Sequence, residues 1–96
     1  MSNIVKAFPS QLLRGGILLV NRCDAILIVD QHRQRGVRVL GIDGFLLSDE
    51  STQPDSANSI DLSNCTMGSS WDRANVFLKT RVDDKLYFEI VADEAD

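Results

Sequence analysis

The sequence predicts an α+β domain with two layers, in which two helices cover one face of a mostly antiparallel sheet. Two segments carry helix start signals, one after Asn21 and one after Ser69, and a closing segment, KLYFEIVA from Lys85 to Ala92, alternates as a strand does. The 96 residues, 44% of them hydrophobic, make a single domain, 1–96, with one core.

The first residues predict little regular structure. Residues 1–16 form a loose lead-in, in which Pro9-Ser10 opens one helical turn through Leu13 and Gly15-Gly16 ends it. The short apolar run from Ile17 to Val20 then suits a buried strand.

The first helix is predicted from its two ends. Asn21 is a good N-cap with Asp24 three residues later, and Gly36 can take the left-handed conformation that ends a helix after Arg35. The continuous apolar run 25–29 also fits a buried strand, but the end signals and the length favour a helix.

The remaining elements follow from alternation and end signals. Val37 to Leu47 is the strongest strand, and the polar stretch Ser48 to Ser59 is predicted as a long loop. Ile60 to Leu62 is a short strand, 64–68 is a turn, and a helix runs from the Ser69 N-cap to about residue 80. The order β-α-β-β-α-β predicts a ferredoxin-like sandwich with a frayed tail at 93–96.

Strand alternation predicts which side chains avoid the helices. Leu86, Phe88 and Ile90 face the helices, so the opposite, open face receives acids and apolar residues, namely Asp43, Asp61, Tyr87, Glu89, Val39, Phe45, Leu47 and Val91. An apolar face of this kind marks an interface. We predict a second copy of the chain as its first occupant, with the amino-terminal segment or a protein partner as alternatives.

The carboxylates also allow the hypothesis of a catalytic site. Asp43, Asp61 and Glu89 on neighbouring strands could bind a divalent cation and support a metal-dependent hydrolase. The favoured alternative is that Asp43 caps a turn or bulge framed by Gly41 and Gly44, and that Asp61 opens the turn beyond its strand. Cys23, Cys65 and His32 have no zinc-site spacing. We therefore predict no catalytic residue, metal or cofactor, and keep a small-molecule sensor at a dimer interface as a further alternative.

Charge is divided unevenly along the chain. Residues 1–42 carry six basic and two acidic residues, and residues 43–96 carry four and twelve, so the halves differ in sign within a net charge of −4. An acidic half favours a basic protein partner and disfavours nucleic acid. No apolar run is long enough for a membrane span or a signal peptide, which predicts a cytoplasmic protein.

Four phrases within 17–92, GIDGF, SIDLS, SSWDRANVFL and LYFEIV, resemble the small immunity-type proteins encoded beside bacterial polymorphic toxins. The resemblance implies a non-enzymatic protein that binds one toxin and blocks its active site with an acidic surface. The predicted partner contacts on the open face are Asp43, Phe45, Asp61, Tyr87 and Glu89. Charge and placement in loops add five more acids to the predicted contacts, namely Asp49, Glu50, Asp55, Asp83 and Asp84.

Overall fold

A computed structural model describes residues 8–48, 51–83 and 85–93 of the chain. Its elements, in chain order, are strands β1 and β2, helix α1, strands β3 and β4, helix α2 and strand β5. Their bounds are Leu12–Arg14, Ile17–Leu19, Arg22–Arg35, Arg38–Leu47, Thr52–Asp61, Met67–Lys79 and Leu86–Asp93.

The sheet is antiparallel and confirms the α+β class. β3 lies in the middle of a three-stranded sheet of order β4-β3-β5, and β1 pairs with β2 in a separate hairpin. Val20 links the hairpin to the sheet, since it exchanges two hydrogen bonds with Phe88 of β5, at 3.0 and 2.8 Å. Val20 and Phe88 are thus the residue pair that joins the backbone of the hairpin segment to the sheet.

The first helix has the predicted ends. The Asn21 side-chain oxygen accepts the Asp24 backbone N–H at 2.9 Å, and Gly36 adopts a left-handed φ of 71°. Both features satisfy backbone groups that a helix end leaves without partners. Residues 25–29 are helical, so the end signals outweigh their strand-like composition.

The predicted helical turn at residues 10–13 is wrong, because Leu12–Arg14 is a strand. Gly15 and Gly16 both have positive φ, 58° and 83°, and make the two-residue turn that joins β1 to β2. Such a turn matches the twist of paired strands and favours glycine at both positions. The two glycines therefore form the turn of a hairpin, whereas the sequence analysis predicted that they end a helical turn.

The predicted loop at 48–59 is also wrong, since most of it belongs to strand β4. The pairing moves from Ile42–Ile60 to Gly44–Asp55, so residues 56–59 form a large bulge in β4. Asp55 closes this bulge through its carboxylate, which accepts the Ala57 N–H at 3.1 Å and an Asn58 amide N–H at 2.9 Å. Turn-forming residues inside this edge strand interrupt the alternation by which a strand is predicted.

Gly44 is what lets the bulge lie against the sheet. A Cβ atom at this position would stand 2.1 Å from the Asn58 carbonyl oxygen. The Gly44 N–H donates to the Ser59 hydroxyl at 2.9 Å, and that hydroxyl donates to the Asp55 carbonyl oxygen at 2.9 Å. Only a residue without a side chain fits this close backbone approach.

The second helix begins earlier than predicted, at Met67, because Thr66 and not Ser69 is its N-cap. The Thr66 hydroxyl accepts the Ser69 N–H at 3.3 Å. Both helices pack on the same face of the sheet and share its main core. Its buried members are Val20, Ala25, Ile28, Val29, Val39, Ile42, Leu62, Ala74, Phe77, Leu78, Leu86 and Phe88.

A second bulge corrects one face assignment. The register of β3 on β5 shifts between Val39 and Gly41, so Leu40 is an extra residue. Val39 is therefore fully buried in the main core, although simple alternation had placed it on the open face. Because side chains of a strand alternate between its two faces, one inserted residue moves every preceding side chain of that strand to the opposite face.

The hairpin crosses the sheet face that is turned away from the helices. This is the face predicted above to be open, and we call it the outer face. Arg14 donates to the Thr52 hydroxyl of β4 at 3.0 Å, although the hairpin joins the sheet at β5, two strands away. Leu19 and Phe45 are 0% and 7% exposed, yet neither belongs to the main core. Since Leu19 belongs to the hairpin and Phe45 to the outer face, we assign both to a minor core between these two parts.

Candidate functional site

The outer face has a covered end beneath the hairpin and an uncovered end that carries acids. Phe45 pairs with Tyr87 at the covered end, and Asp43 pairs with Glu89 two residues further along the same strands. Asp61 of β4 is opposite Gly41, on the other side of β3. We call Asp43, Asp61 and Glu89, with their apolar neighbours, the acidic end.

Asp43 and Glu89 are a like-charge pair. They are direct partners across the β3–β5 ladder, where opposed side chains lie close together. Asp43 is exposed and Glu89 is half-buried. Burial first, and the negative charge of Asp43 second, raise the pKa of the Glu89 carboxyl above its ordinary value. The fold therefore disfavours the ionised form of Glu89.

Asp61 has the opposite environment. Its carboxylate accepts the Ser63 backbone N–H at 2.9 Å. This bond first, and the Ser63 hydroxyl second, lower the pKa of Asp61. The Ser63 carbonyl oxygen in turn accepts a hydrogen bond from the Arg38 guanidinium. The turn after β4 therefore holds Asp61 in its charged form.

A shallow depression of about 500 Å³ lies between Asp43 and Asp61. Gly41 forms part of its floor, because it presents no side chain between Asp61 and Val91. Val91 is 36% exposed, which is high for a valine in a sheet. The residues that line the depression are Leu40, Gly41, Asp43, Ser59, Ile60, Asp61, Ser63 and Val91.

No cation of the chain neutralises the acidic end in the part that the structure describes. Asp43, Asp61 and Glu89 make no ion pair there, whereas Asp30 on α1 is held by Arg33 at 2.7 Å. Nor do any three His, Cys, Asp or Glu side chains within 8–48, 51–83 and 85–93 come together in a group that could hold a metal ion. The arrangement can attract cations and offers no built metal centre.

The other predicted contact residues lie apart from this site. Phe45 is buried, and Asp55 is used inside the β4 bulge. Asp83 and Tyr87 line a separate depression of about 300 Å³ beside the start of α1. Three further predicted acids, Asp49, Glu50 and Asp84, fall outside the described residues.

Sequence reasoning placed Val91 on this face but did not include it in the site, and it missed Leu40. Leu40 reaches the depression only because the bulge turns it to the outer face, and Gly41 was the available signal, since glycine inside a strand often marks a bulge. Asp24 was also missed as a structural anchor. It is 8% exposed, and its carboxylate accepts both the N–H and the hydroxyl of Ser10, at 3.0 and 2.5 Å.

The remaining reactive groups do not converge on the acidic end. Cys23 and Cys65 are free thiols, the first exposed and the second half-buried, and His32 is buried at the end of α1. Within the described ranges, neither α1 nor α2 has the length and apolar character needed to cross a membrane. Compared with known proteins, the chain matches no family model and no curated relative.

Proposed function

We propose that this protein is a non-enzymatic binding module whose acidic end engages a basic protein partner. One observation carries the proposal: Asp43 and Glu89 are directly opposite each other on β3 and β5, and neither makes an ion pair within the described residues. A cationic partner would relieve this repulsion and would find exposed Val91 beside it. Complementary charge steers association and fixes register.

The proposed partner class agrees with the resemblance to immunity-type proteins. In that family an acidic surface blocks a basic toxin, which places the proposed activity in the bacterial cytoplasm. The homodimer stays a separate prediction. A two-fold dimer through the acidic end would bring like charges together, so we favour a basic partner for this surface.

The sheet also has a proposed finer arrangement. We propose that Val20 makes β2 the beginning of a fourth strand beside β5, so that each helix connects two parallel strands with a third strand between them. This is the split βαβ connection of the ferredoxin-like class. The two hydrogen bonds between Val20 and Phe88 support it.

The proposal is tested with two matched triple variants. The first, Asp43→Asn/Asp61→Asn/Glu89→Gln, neutralises the acidic end, and the second, Asp30→Asn/Asp72→Asn/Asp83→Asn, removes the same charge elsewhere. Each is used as bait in a lysate of the native host. We expect a basic protein to be retained by the wild type and by the second triple, and lost with the first.

The purified pair is then titrated at increasing salt. Because exposed charges are screened over about 8 Å at physiological ionic strength, we expect affinity to fall steeply between low and high salt. Equal retention by both triples, or an affinity that does not respond to salt, would contradict the proposal. Binding of Mg²⁺ or Mn²⁺ to the wild type, abolished by Asp43→Asn, would favour the metal-dependent alternative.

A further inference from the structure

In the part of the chain that the structure describes, no strand pairs with the edge of β5 beyond Phe88, on the side away from β3. β5 has β3 on one side, and on its other side the one backbone pairing among the described residues is that of Phe88 with Val20. The Phe88 N–H and C=O both point to Val20, at 2.8 and 3.0 Å. Since alternate residues direct their backbone groups to the same side, those of Ile90 and Ala92 also point outward. They have no backbone partner among residues 8–48, 51–83 and 85–93.

The opposite edge of the sheet does not offer the same template. β4 contains Pro54, which has no N–H, and the bulge at residues 56–59 interrupts its regular pairing. Proline and bulges are the usual means by which an edge strand avoids pairing with another chain. The structure therefore protects one edge and leaves the other regular.

The side chains beside the β5 edge define what could pair there. Glu89, Val91 and Asp93 alternate toward the outer face, with Asp43 behind Glu89 on the next strand. On the helix side, Ile90 packs partly against the main core. A strand added here would meet carboxylates on one face and an apolar residue on the other.

A second copy is a poor occupant of this edge. Two β5 strands related by a two-fold axis at Val91, the register that pairs the backbone of Ile90 with that of Ala92, would oppose Glu89 to Asp93, and like charges directly opposite destabilise a strand pair. A strand with lysine or arginine on one face and apolar residues on the other fits both faces instead.

We infer that the partner adds an extended, alternately basic and apolar segment to the β5 edge, hydrogen-bonded to the backbone of Ile90 and Ala92. This inference rests on the proposed function and names the part of the basic partner that is recognised. Backbone bonds supply the affinity of such strand addition, and the alternating side chains supply its specificity.

The experiment uses amide hydrogen exchange by NMR on the full chain. The probe is the peptide acetyl-KVKVKVK-amide, and the control is acetyl-KKKKVVV-amide, which has the same composition and charge without the alternation. In the free protein we expect the Ile90 and Ala92 amides to exchange faster than those of Glu89 and Val91. With KVKVKVK we expect the exchange of Ile90 and Ala92 to slow by about tenfold or more.

A variant tests the backbone bond itself. Ala92→Pro removes an outward N–H that the described fold does not use, and we expect it to weaken KVKVKVK binding by about tenfold. The exchange of the Glu89 amide reports whether β5 still pairs with β3 in this variant. If Ala92→Pro disturbs that pairing, the wild-type exchange pattern decides alone.

The outcomes separate the two proposals. Salt-sensitive binding of KVKVKVK that leaves Ile90 and Ala92 unprotected, or equal binding of KKKKVVV, would overturn strand addition while the basic-partner proposal stands. Protection of both amides already in the dilute free protein would assign the edge to the chain itself, and protection that grows with protein concentration would assign it to a second copy. Both would overturn the inference.

Discussion

The two ends of the outer face lie on the same strands and have opposite chemistry. At the covered end Phe45 is 7% exposed and the hairpin lies above it, whereas two residues earlier Asp43 is exposed and faces Glu89. The difference shows that the hairpin divides one sheet face into a packed half and a half left for water or a partner. Substitutions at the covered end should therefore lower the stability of the fold, whereas substitutions at the acidic end should change how that stability depends on pH.

The largest effect is expected at the covered end. Phe45→Ala should lower the free energy of unfolding by about 3–5 kcal/mol, because it removes a buried aromatic side chain from the minor core. The neighbouring Leu46→Ala is the control, since Leu46 is 36% exposed and should cost much less. Urea unfolding measures both, and equal losses would show that the hairpin does not bury Phe45.

The boundary between the halves depends on Gly44. Gly44→Ala should destabilise the fold by about 1–3 kcal/mol, because the new Cβ would collide with the Asn58 carbonyl and displace the bulge. Gly68→Ala on α2, where a Cβ meets open space, is the control and should be neutral or stabilising. A neutral Gly44→Ala in thermal unfolding would mean that the bulge does not rest on the sheet.

The acidic end should gain stability when its repulsion is removed. The pKa of Glu89 is raised in the fold, so the native state loses stability as pH rises from below 4.5 through the folded value. Glu89→Gln should therefore be more stable than the wild type near pH 7. The difference should vanish in acid, where Glu89 is neutral. Urea midpoints across pH measure it, and a loss of stability near pH 7 would contradict the environment assigned to Glu89.

Asp61 should show a smaller effect of opposite sign. Because its pKa is lowered, it contributes stability above the ordinary value of 3.8 that is lost as pH falls through the folded value. Asp61→Asn should thus be slightly less stable than the wild type at neutral pH and equal to it in strong acid. Asp72→Asn, on exposed α2, is the charge-matched control in the same urea series.

The sequence allowed the helices and the outer-face acids to be predicted, because both depend on local signals. Asn21 and Gly36 mark α1 through their own side-chain or backbone chemistry, and Glu89 follows from regular alternation in β5. Gly41 and Gly44 indicated a bulge near Asp43, but the register shift at Leu40 and the extra residues after Asp55 could not be predicted, since each depends on how the neighbouring strand pairs. These two bulges are the reason that the predictions for Val39, Leu40 and β4 differ from the structure, in which Val39 is buried in the main core, Leu40 lines the depression and β4 is a strand.

The Val20–Phe88 link has a consequence for aggregation. Among the described residues, the hairpin is hydrogen-bonded to the sheet through the Val20–Phe88 pair and the Arg14–Thr52 bond, so we expect it to detach as a unit at lower free energy than global unfolding. Detachment would bare Leu19 and Phe45 next to a regular strand edge. This partly opened form, and not the fully unfolded chain, is the species expected to associate on heating.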